Sequence, residues 1–273
     1  MSTRDPRPTQ GLVTELTEAI LRGDQEGLRP GDQFPTTAQF AAQYEISPQT
    51  ASRVIQALKG AGLLSGLAGG RTWVRVQPVP SVRDNKRYLD EKNRSKLEDI
   101  AERGAVGVSE YDTGIAIDTL HHNGVKVDVV TAPEDVAAAL ELGPNDRVRR
   151  VIYERRHQEL AGLSRSTSYV PYELIKDNPD LLNPEKLARW AGGTMHQLGT
   201  VGIEVGEIID TVTAAMPTAV EARDYDIPPA VPLLHVRKLS VAIDGRPVEV
   251  ADIPLPGDRV QLIFRTPLPG WAE

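Results

Sequence analysis

The chain contains no cysteine, and only 5% of its 273 residues are aromatic, with three Phe and three Trp. Without thiols there can be no disulfide framework, no Cys-ligated zinc or iron–sulfur centre and no thiol nucleophile. No apolar run approaches the 18 or so residues that span a bilayer. The stretch Met1–Gln10 is polar, carries Pro6 and Pro8, and lacks the apolar core of a secretory signal. Together with the missing thiols, this leads us to expect a cytoplasmic protein. Positive charge is also in deficit, with 31 Lys and Arg against 38 Asp and Glu for a net of −7. Spread evenly, that balance would disfavour a nucleic-acid partner.

The charge is not spread evenly. Residues 1–78 carry 8 basic and 7 acidic side chains, residues 79–273 carry 23 and 31, and residues 28–78 carry 5 and 2. A basic stretch joined to an acidic body hints at nucleic acid. The length exceeds one average domain, so two domains with self-sufficient cores are expected.

Local signals divide the first quarter finely. Leu12, Leu16 and Ile20 recur every four residues and predict a helix ending near Arg22-Gly23. The block Leu28 to Pro35 reads as a loop by its Pro-Gly punctuation. Thr36 with Gln39 forms a capping box that opens a short helix burying Phe40, Ala41 and Tyr44. Ser47 then caps a second helix with Pro48 at its first position. Ala51, Val54, Ile55 and Leu58 make its apolar stripe, and Gln49, Ser52, Arg53, Gln56 and Lys59 its polar one. Gly62 is placed to end it. Leu63–Ser65 and Arg71–Val76 read as strands around a Gly-rich turn, with Trp73 packing the hairpin. Three helices followed by a hairpin is the layout of a winged helix-turn-helix.

Pro78–Ser81 reads as a linker, and the highly charged residues 82–104 as surface helix or coil. Strands dominate from about Val106, including Val125–Val130, Val148–Tyr153, Ser166–Val170, Gly206–Thr213, Leu233–Ile243, Pro247–Ile253 and Arg259–Phe264. Helices fit Pro133–Leu140, Pro184–Trp190, Met195–Leu198 and Ala219–Tyr225. The expectation is an α+β chain: a winged helix-turn-helix at 1–78, a connecting segment at 79–105, and an antiparallel-sheet domain at 106–273.

Four motifs carry a resemblance: Pro30-Gly31-Asp32-Gln33-Phe34-Pro35-Thr36, Ile46-Ser47-Pro48-Gln49-Thr50, Ala57 through Leu64, and Gly69-Gly70-Arg71-Thr72-Trp73-Val74. At this spacing they resemble the GntR family of bacterial transcription regulators. Farther on, Leu140-Glu141-Leu142-Gly143, Val151 to Arg155, Ser168-Tyr169-Val170-Pro171, Glu207 to Asp210, Ala219 to Pro228 and Val231 through Arg259 are similar to the UTRA effector-binding domain of the HutC-like subfamily. That domain is similar in fold to chorismate lyase.

The resemblance implies DNA-contacting residues Thr36, Thr37, Ser47, Gln49, Thr50, Ser52, Arg53, Gln56, Gly69, Gly70 and Arg71. The chain departs from the family where Ala38 and Pro48 stand in place of two arginines that usually approach DNA. Gln49 and Arg53 are then the natural base readers, since Gln pairs with adenine and Arg with guanine edges or phosphate. Arg71 at the wing would reach the minor groove or the backbone. The resemblance also implies an effector site with Arg155 as anion binder, accompanied by His157, Arg165, Ser166, Ser168, Tyr169 and Glu249. Glu249 is equally readable as the salt-bridge partner of an Arg. His157 replaces a frequent second Arg and suggests a less strongly anionic effector. The pair His121-His122 reads as a loop rather than a metal site, Trp190 as helix packing, and Trp271 as terminal; no metal or cofactor is expected.

The implied function is a ligand-responsive regulator, a repressor binding a near-palindromic double-stranded DNA operator as a homodimer, with a small metabolite as effector and no membrane partner. It is not expected to be an enzyme. Two alternatives stay open: a DNA-binding dimer whose C-terminal domain has no ligand, and a chorismate-lyase-like enzyme.

Overall fold

The computed structural model describes residues 7–66, 71–76, 78, 80–103, 120–157, 163–228 and 230–268. The chain divides into two compact units, Met1–Pro78 with Met216–Pro232, and Val79–Ala215 with Leu233–Glu273.

In the first unit, α1 (Arg7–Arg22), α2 (Thr37–Gln43) and α3 (Pro48–Gly60) surround a core of Leu16, Ile20, Phe34, Phe40, Val54, Leu58 and Val74. The start signals act as the sequence predicts. Thr36 Oγ1 accepts the Gln39 N–H at 3.3 Å while Gln39 Oε1 accepts the Thr36 N–H at 3.0 Å. Ser47 Oγ accepts the Thr50 N–H at 3.1 Å, with Pro48 following it. Between these helices Glu45 takes φ of 51°, and the Ile46 N–H reaches back to the Ala41 carbonyl at 3.0 Å. Gly62 closes α3 at φ of 74°, letting the Leu63 N–H bond the Leu58 carbonyl at 3.0 Å. Tyr44 is half-buried at the end of α2 and not fully enclosed. Ser47→Ala removes one cap and should lower the stability of this unit by about 1 kcal/mol, measurable as a lower urea midpoint.

The Pro-Gly block read as a loop contains a two-residue strand, β1 (Gln33–Phe34), beside β2 (Leu64–Ser65) and β3 (Thr72–Val74) in the order β1-β3-β2. Val74 is buried, while Trp73 on the same strand is partly exposed at 39%. The segment Met216–Pro232, with helix α10 (Ala219–Asp224) opened by a Thr218–Glu221 capping box, completes this unit; the sequence gives no sign of that grouping.

The second unit is built on a six-stranded antiparallel sheet. Its strands are β5 (Leu120–Thr131), β6 (Arg147–His157), β7 (Leu163–Pro171), β8 (Val205–Ala215), β9 (Leu233–Ala242) and β10 (Pro247–Pro256), ordered β5-β6-β7-β10-β9-β8. One face carries Val148, Val250, Tyr169 and Leu239, covered by α6 (Glu134–Ala139) through Val136. On the other, Val170, Val248 and Val205 belong to a core with Leu181, Met195, Leu198 and Ile175, the last of which ends α7 (Tyr172–Ile175). His121 and His122 lie within β5, not in a loop.

The charged segment after the head is structured. Strand β4 (Ser81–Asp84) pairs in parallel with β11 (Val260–Ile263), and α4 (Lys86–Ser95) follows it, then α5 (Ile100–Arg103). Arg87 and Glu91 of α4 are buried, although their residue types suggested solvent. Among the described residues no helix is long and apolar enough to cross a membrane.

Candidate functional site

Two concave sites, one in each unit, gather residues that the sequence singles out. In the first unit Thr36, Thr37, Ser52, Gln56 and Arg71 line one concavity together with Lys59, Gln33 and Thr72. Three elements meet there: the start of α2, the polar stripe of α3, and the strand after the wing turn. Lys59 Nζ also donates to the Gly66 carbonyl at 3.3 Å and so ties α3 to the wing. Gln49 and Arg53 are exposed on the same helix. Ser47 and Thr50 are half-buried and engaged with each other at 2.9 Å between their hydroxyls, so capping occupies them. Gly69 and Gly70 lie outside the described residues. The lining side chains are two cations, polar groups and the apolar Phe34, Pro35 and Ile55, with no carboxylate among those described. Such a surface suits a phosphate backbone and base edges.

The second site is a cavity of about 130 Å³ over the sheet. Its floor comes from alternate residues of four strands. Tyr153 and Arg155 on β6 register with Ser166 and Ser164 on β7; Ala251 on β10 registers with Ser168 and with Lys238 on β9. The sides come from Arg83 and Arg87 with Tyr88, and from Leu187 and Trp190 near α8 (Pro184–Ala188) and Gly193, Thr194 and Gln197 of α9 (Gly193–Gly199). The described lining residues bring four cations and one carboxylate.

That carboxylate is Glu249. It is fully enclosed, with Lys238 Nζ at 2.8 Å, the Ser168 hydroxyl donating at 2.8 Å and the Ser240 hydroxyl at 2.9 Å. Burial alone would raise its pKa, but the Lys238 charge and these donors hold it below the usual carboxylate range. Burial likewise opposes the Lys238 charge, yet Glu249 and Glu91 override it and keep the ammonium protonated well above its ordinary value. Deeper along β6, Arg149 donates to Gln197 Oε1 at 3.0 Å and to the Leu181 carbonyl at 3.2 Å, and burial lowers its pKa. The Tyr88 hydroxyl donates to Asp210 at 2.7 Å and accepts from Arg87 at 2.8 Å; burial raises its pKa.

Four expected effector residues, Arg155, Ser166, Ser168 and Glu249, line this cavity. Arg165 and Tyr169 do not. Odd and even residues of a strand point to opposite faces, so 165 and 169 cannot share the face of 164, 166 and 168. Arg165 instead pairs with its cross-strand neighbour Glu154 at 2.6 Å, and Tyr169 joins the apolar cluster beneath α6. Glu249 is a salt-bridge residue, but its partner is Lys238 rather than an Arg. His157 ends β6 opposite Leu120, and its side chain lies outside the described residues. Trp190, read as helix packing, lines the cavity and donates its Nε1–H to His196 Nδ1 at 2.9 Å. Trp271 lies outside the described residues. Tyr153, Ser164, Lys238 and Ala251 were within reach of strand alternation plus register. Arg83, Arg87 and Tyr88 carry no local signal of a site. Among the described residues no cluster of His, Asp or Glu is placed to hold a metal ion.

Comparison with known proteins places these two sites in context. Residues 119–261 match the UTRA domain. Over 244 residues the chain is 27% identical to an uncharacterized HTH-type transcriptional regulator of Streptomyces coelicolor, covering 88% of this chain and 85% of that one. A solved structure described as a GntR-family transcriptional regulator shares the fold, with a TM-score of 0.60, 22% identity, and coverage of 96% of this chain and 98% of the other. PhnF from Mycobacterium smegmatis aligns at a TM-score of 0.47 and 17% identity, over 93% of this chain and 98% of its own.

Proposed function

Since the chain belongs to the UTRA-domain family, we propose that it is a transcription regulator of the GntR type whose DNA affinity is set by a small anionic effector. Two heads of a homodimer read a near-palindromic operator with half-sites about one helical turn apart, and the regulator acts as a repressor. The observation that carries this reading is the presence of two chemically distinct concavities: a largely polar, cationic one on the helix-turn-helix and wing, and a cationic one over the sheet. His157 in place of a second Arg pointed to a weakly anionic effector. Arg83, Arg87 and Lys238 in the cavity wall reverse that expectation, because four cations there favour a carboxylate or phosphate. A cavity of about 130 Å³ suits a metabolite well below drug size. Its presence favours a working effector site over a domain that only dimerises. No turnover is assigned, because the carboxylate among the described lining residues is locked to Lys238 and is poorly placed to trade protons.

The direct test is a mobility-shift assay with DNA from upstream of the protein's own gene. A specific complex at low salt, weakened as salt rises, is expected; its absence refutes the reading. Gln49→Ala and Arg53→Ala should each lose about 1–3 kcal/mol of discrimination at one operator position. Lys59→Ala should instead weaken all sequences alike and reduce the salt slope by about one. Competition titrations against single-base operator variants separate these two patterns.

A further inference from the structure

Arg149 is the largest of the fully buried side chains among the described residues, at 1% exposure. Its Nη1 donates to Gln197 Oε1 at 3.0 Å and to the Leu181 carbonyl at 3.2 Å. Its Nε is equally enclosed and meets no acceptor among the described residues, and no carboxylate among them pairs with it. A cation kept from water by neutral partners alone is costly, and it dictates how those partners are turned.

Gln197 is the partner it turns. A guanidinium can only donate, so the amide oxygen must face Arg149 and the amide nitrogen must face away. A flipped amide would set N–H against N–H where water cannot enter, since Gln197 is 3% exposed. The nitrogen then meets the Tyr153 hydroxyl and donates to its oxygen at 3.4 Å, the long end of the range. An amide N–H cannot accept, so the Tyr153 proton points elsewhere, and among the described residues nothing takes it. Tyr153 and Gln197 both line the cavity over the sheet, and the Arg155 guanidinium lies 5.4 Å from the Tyr153 ring centre. The cavity is where that proton is left to go.

We propose that Tyr153 is a specificity-determining residue of the effector site, that its hydroxyl donates to an uncharged carbonyl oxygen on the effector, and that Arg149 is the positioning residue that sets this direction through Gln197. The proposal rests on the anionic-effector reading above and adds a neutral group that the ligand carries beside its charge. Guanidinium, amide and phenol are three donors in series, and each polarises the next in the same sense. A ligand with a methylene in place of the carbonyl leaves the phenol proton unpaired in an enclosed space, so the site rejects it. Arg149 acts through Gln197 and touches no ligand.

The test titrates the full chain, by ligand-detected NMR, with two matched pairs of monocarboxylates: pyruvate against propionate, and 4-oxopentanoate against pentanoate. The pairs place the ketone at two spacings from the charge. In at least one pair the oxo acid should bind about threefold to tenfold more tightly, the value of one neutral hydrogen bond. Tyr153→Phe removes the hydroxyl alone and should bring that ratio to about one. Gln197→Glu checks the positioning role. It sets a carboxylate against Arg149, so thermal unfolding should come no lower than in wild type. That carboxylate also accepts the Tyr153 proton, so the ratio should again fall to about one. A merely structural role would not remove the preference from a protein that melts no lower than wild type. Ratios near one in both wild-type pairs, or a wild-type preference kept in Tyr153→Phe, overturn the proposal and leave the anionic-effector reading standing. A wild-type preference kept in Gln197→Glu overturns the positioning role of Arg149. Binding by none of the four acids at tens of millimolar concentration overturns this proposal and the anionic-effector reading together.

Discussion

Lys238→Met will destabilise the effector unit by about 3–5 kcal/mol, the cost of leaving a buried charge without its partner. Glu249 is 1% exposed, and its Oε2 accepts from both Lys238 and Ser240. With the ammonium gone, two serine hydroxyls remain to satisfy a carboxylate that water cannot reach. The double variant Lys238→Met with Glu249→Gln should recover most of the loss, since a neutral amide still bonds Ser168 and Ser240. A double-mutant cycle in urea measures both figures; a single variant as stable as wild type would mean the pair is not enclosed. The pH dependence has a definite sign. Glu249 has a folded pKa below its unfolded value, so its contribution is present above the unfolded carboxylate range near 4.3 and is lost as acid protonates it. Glu91 has the opposite shift. Its contribution is present at acid pH and is lost as pH rises through its folded value. Removing Glu91 as Glu91→Gln should therefore flatten the neutral side of the stability profile, and Glu249→Gln the acid side.

What could be read from sequence divides along a physical line. Caps are local: Thr36 with Gln39, and Ser47 with Pro48, declare helix starts through bonds that span three residues. Strand alternation is local too, and applied consistently it would have kept Ser166 and Ser168 while rejecting Arg165 and Tyr169. Burial of charge is not local. Arg87, Glu91, Lys238 and Glu249 show no burial in sequence, and only the fold brings them together from three elements, α4, β9 and β10. The same holds for β4, whose partner β11 lies at the other end of the chain, and for Met216–Pro232, which sits in the middle of the sheet's sequence but groups with the head. The residues proposed to face DNA are more legible than those proposed to bind the effector for this reason. The first lie within about one supersecondary motif, while the cavity draws on strands and helices scattered across the whole second unit.

Gly66→Ala should be the most damaging single change to operator binding among the head's described glycines. Gly66 takes φ of 135°, a conformation L side chains rarely adopt, and an added Cβ would run into the Arg71 backbone oxygen and lie 3.1 Å from the Thr72 Cα. The backbone conformation alone costs on the order of 1–3 kcal/mol. The collision adds to it, because the obstacle is main chain and cannot swing aside. Relief requires the strands of the wing to part at the point where Ser65 registers with Trp73. That movement carries Arg71 and Thr72 out of the concavity they share with Ser52 and Gln56, and loosens the Lys59 bond to the Gly66 carbonyl. Operator affinity should then fall by roughly tenfold or more, the value of one or two lost charge-assisted contacts. Gly60→Ala is the matched control. Gly60 ends α3 with open space around its would-be Cβ and no left-handed backbone, so alanine there should be neutral or stabilising by up to about 1 kcal/mol. Thermal unfolding and operator titration of both variants separate the two effects. If Gly66→Ala lowers stability while operator affinity, measured well below the melting range, stays at the wild-type value, the wing does not contribute to DNA binding and recognition belongs to α3 alone.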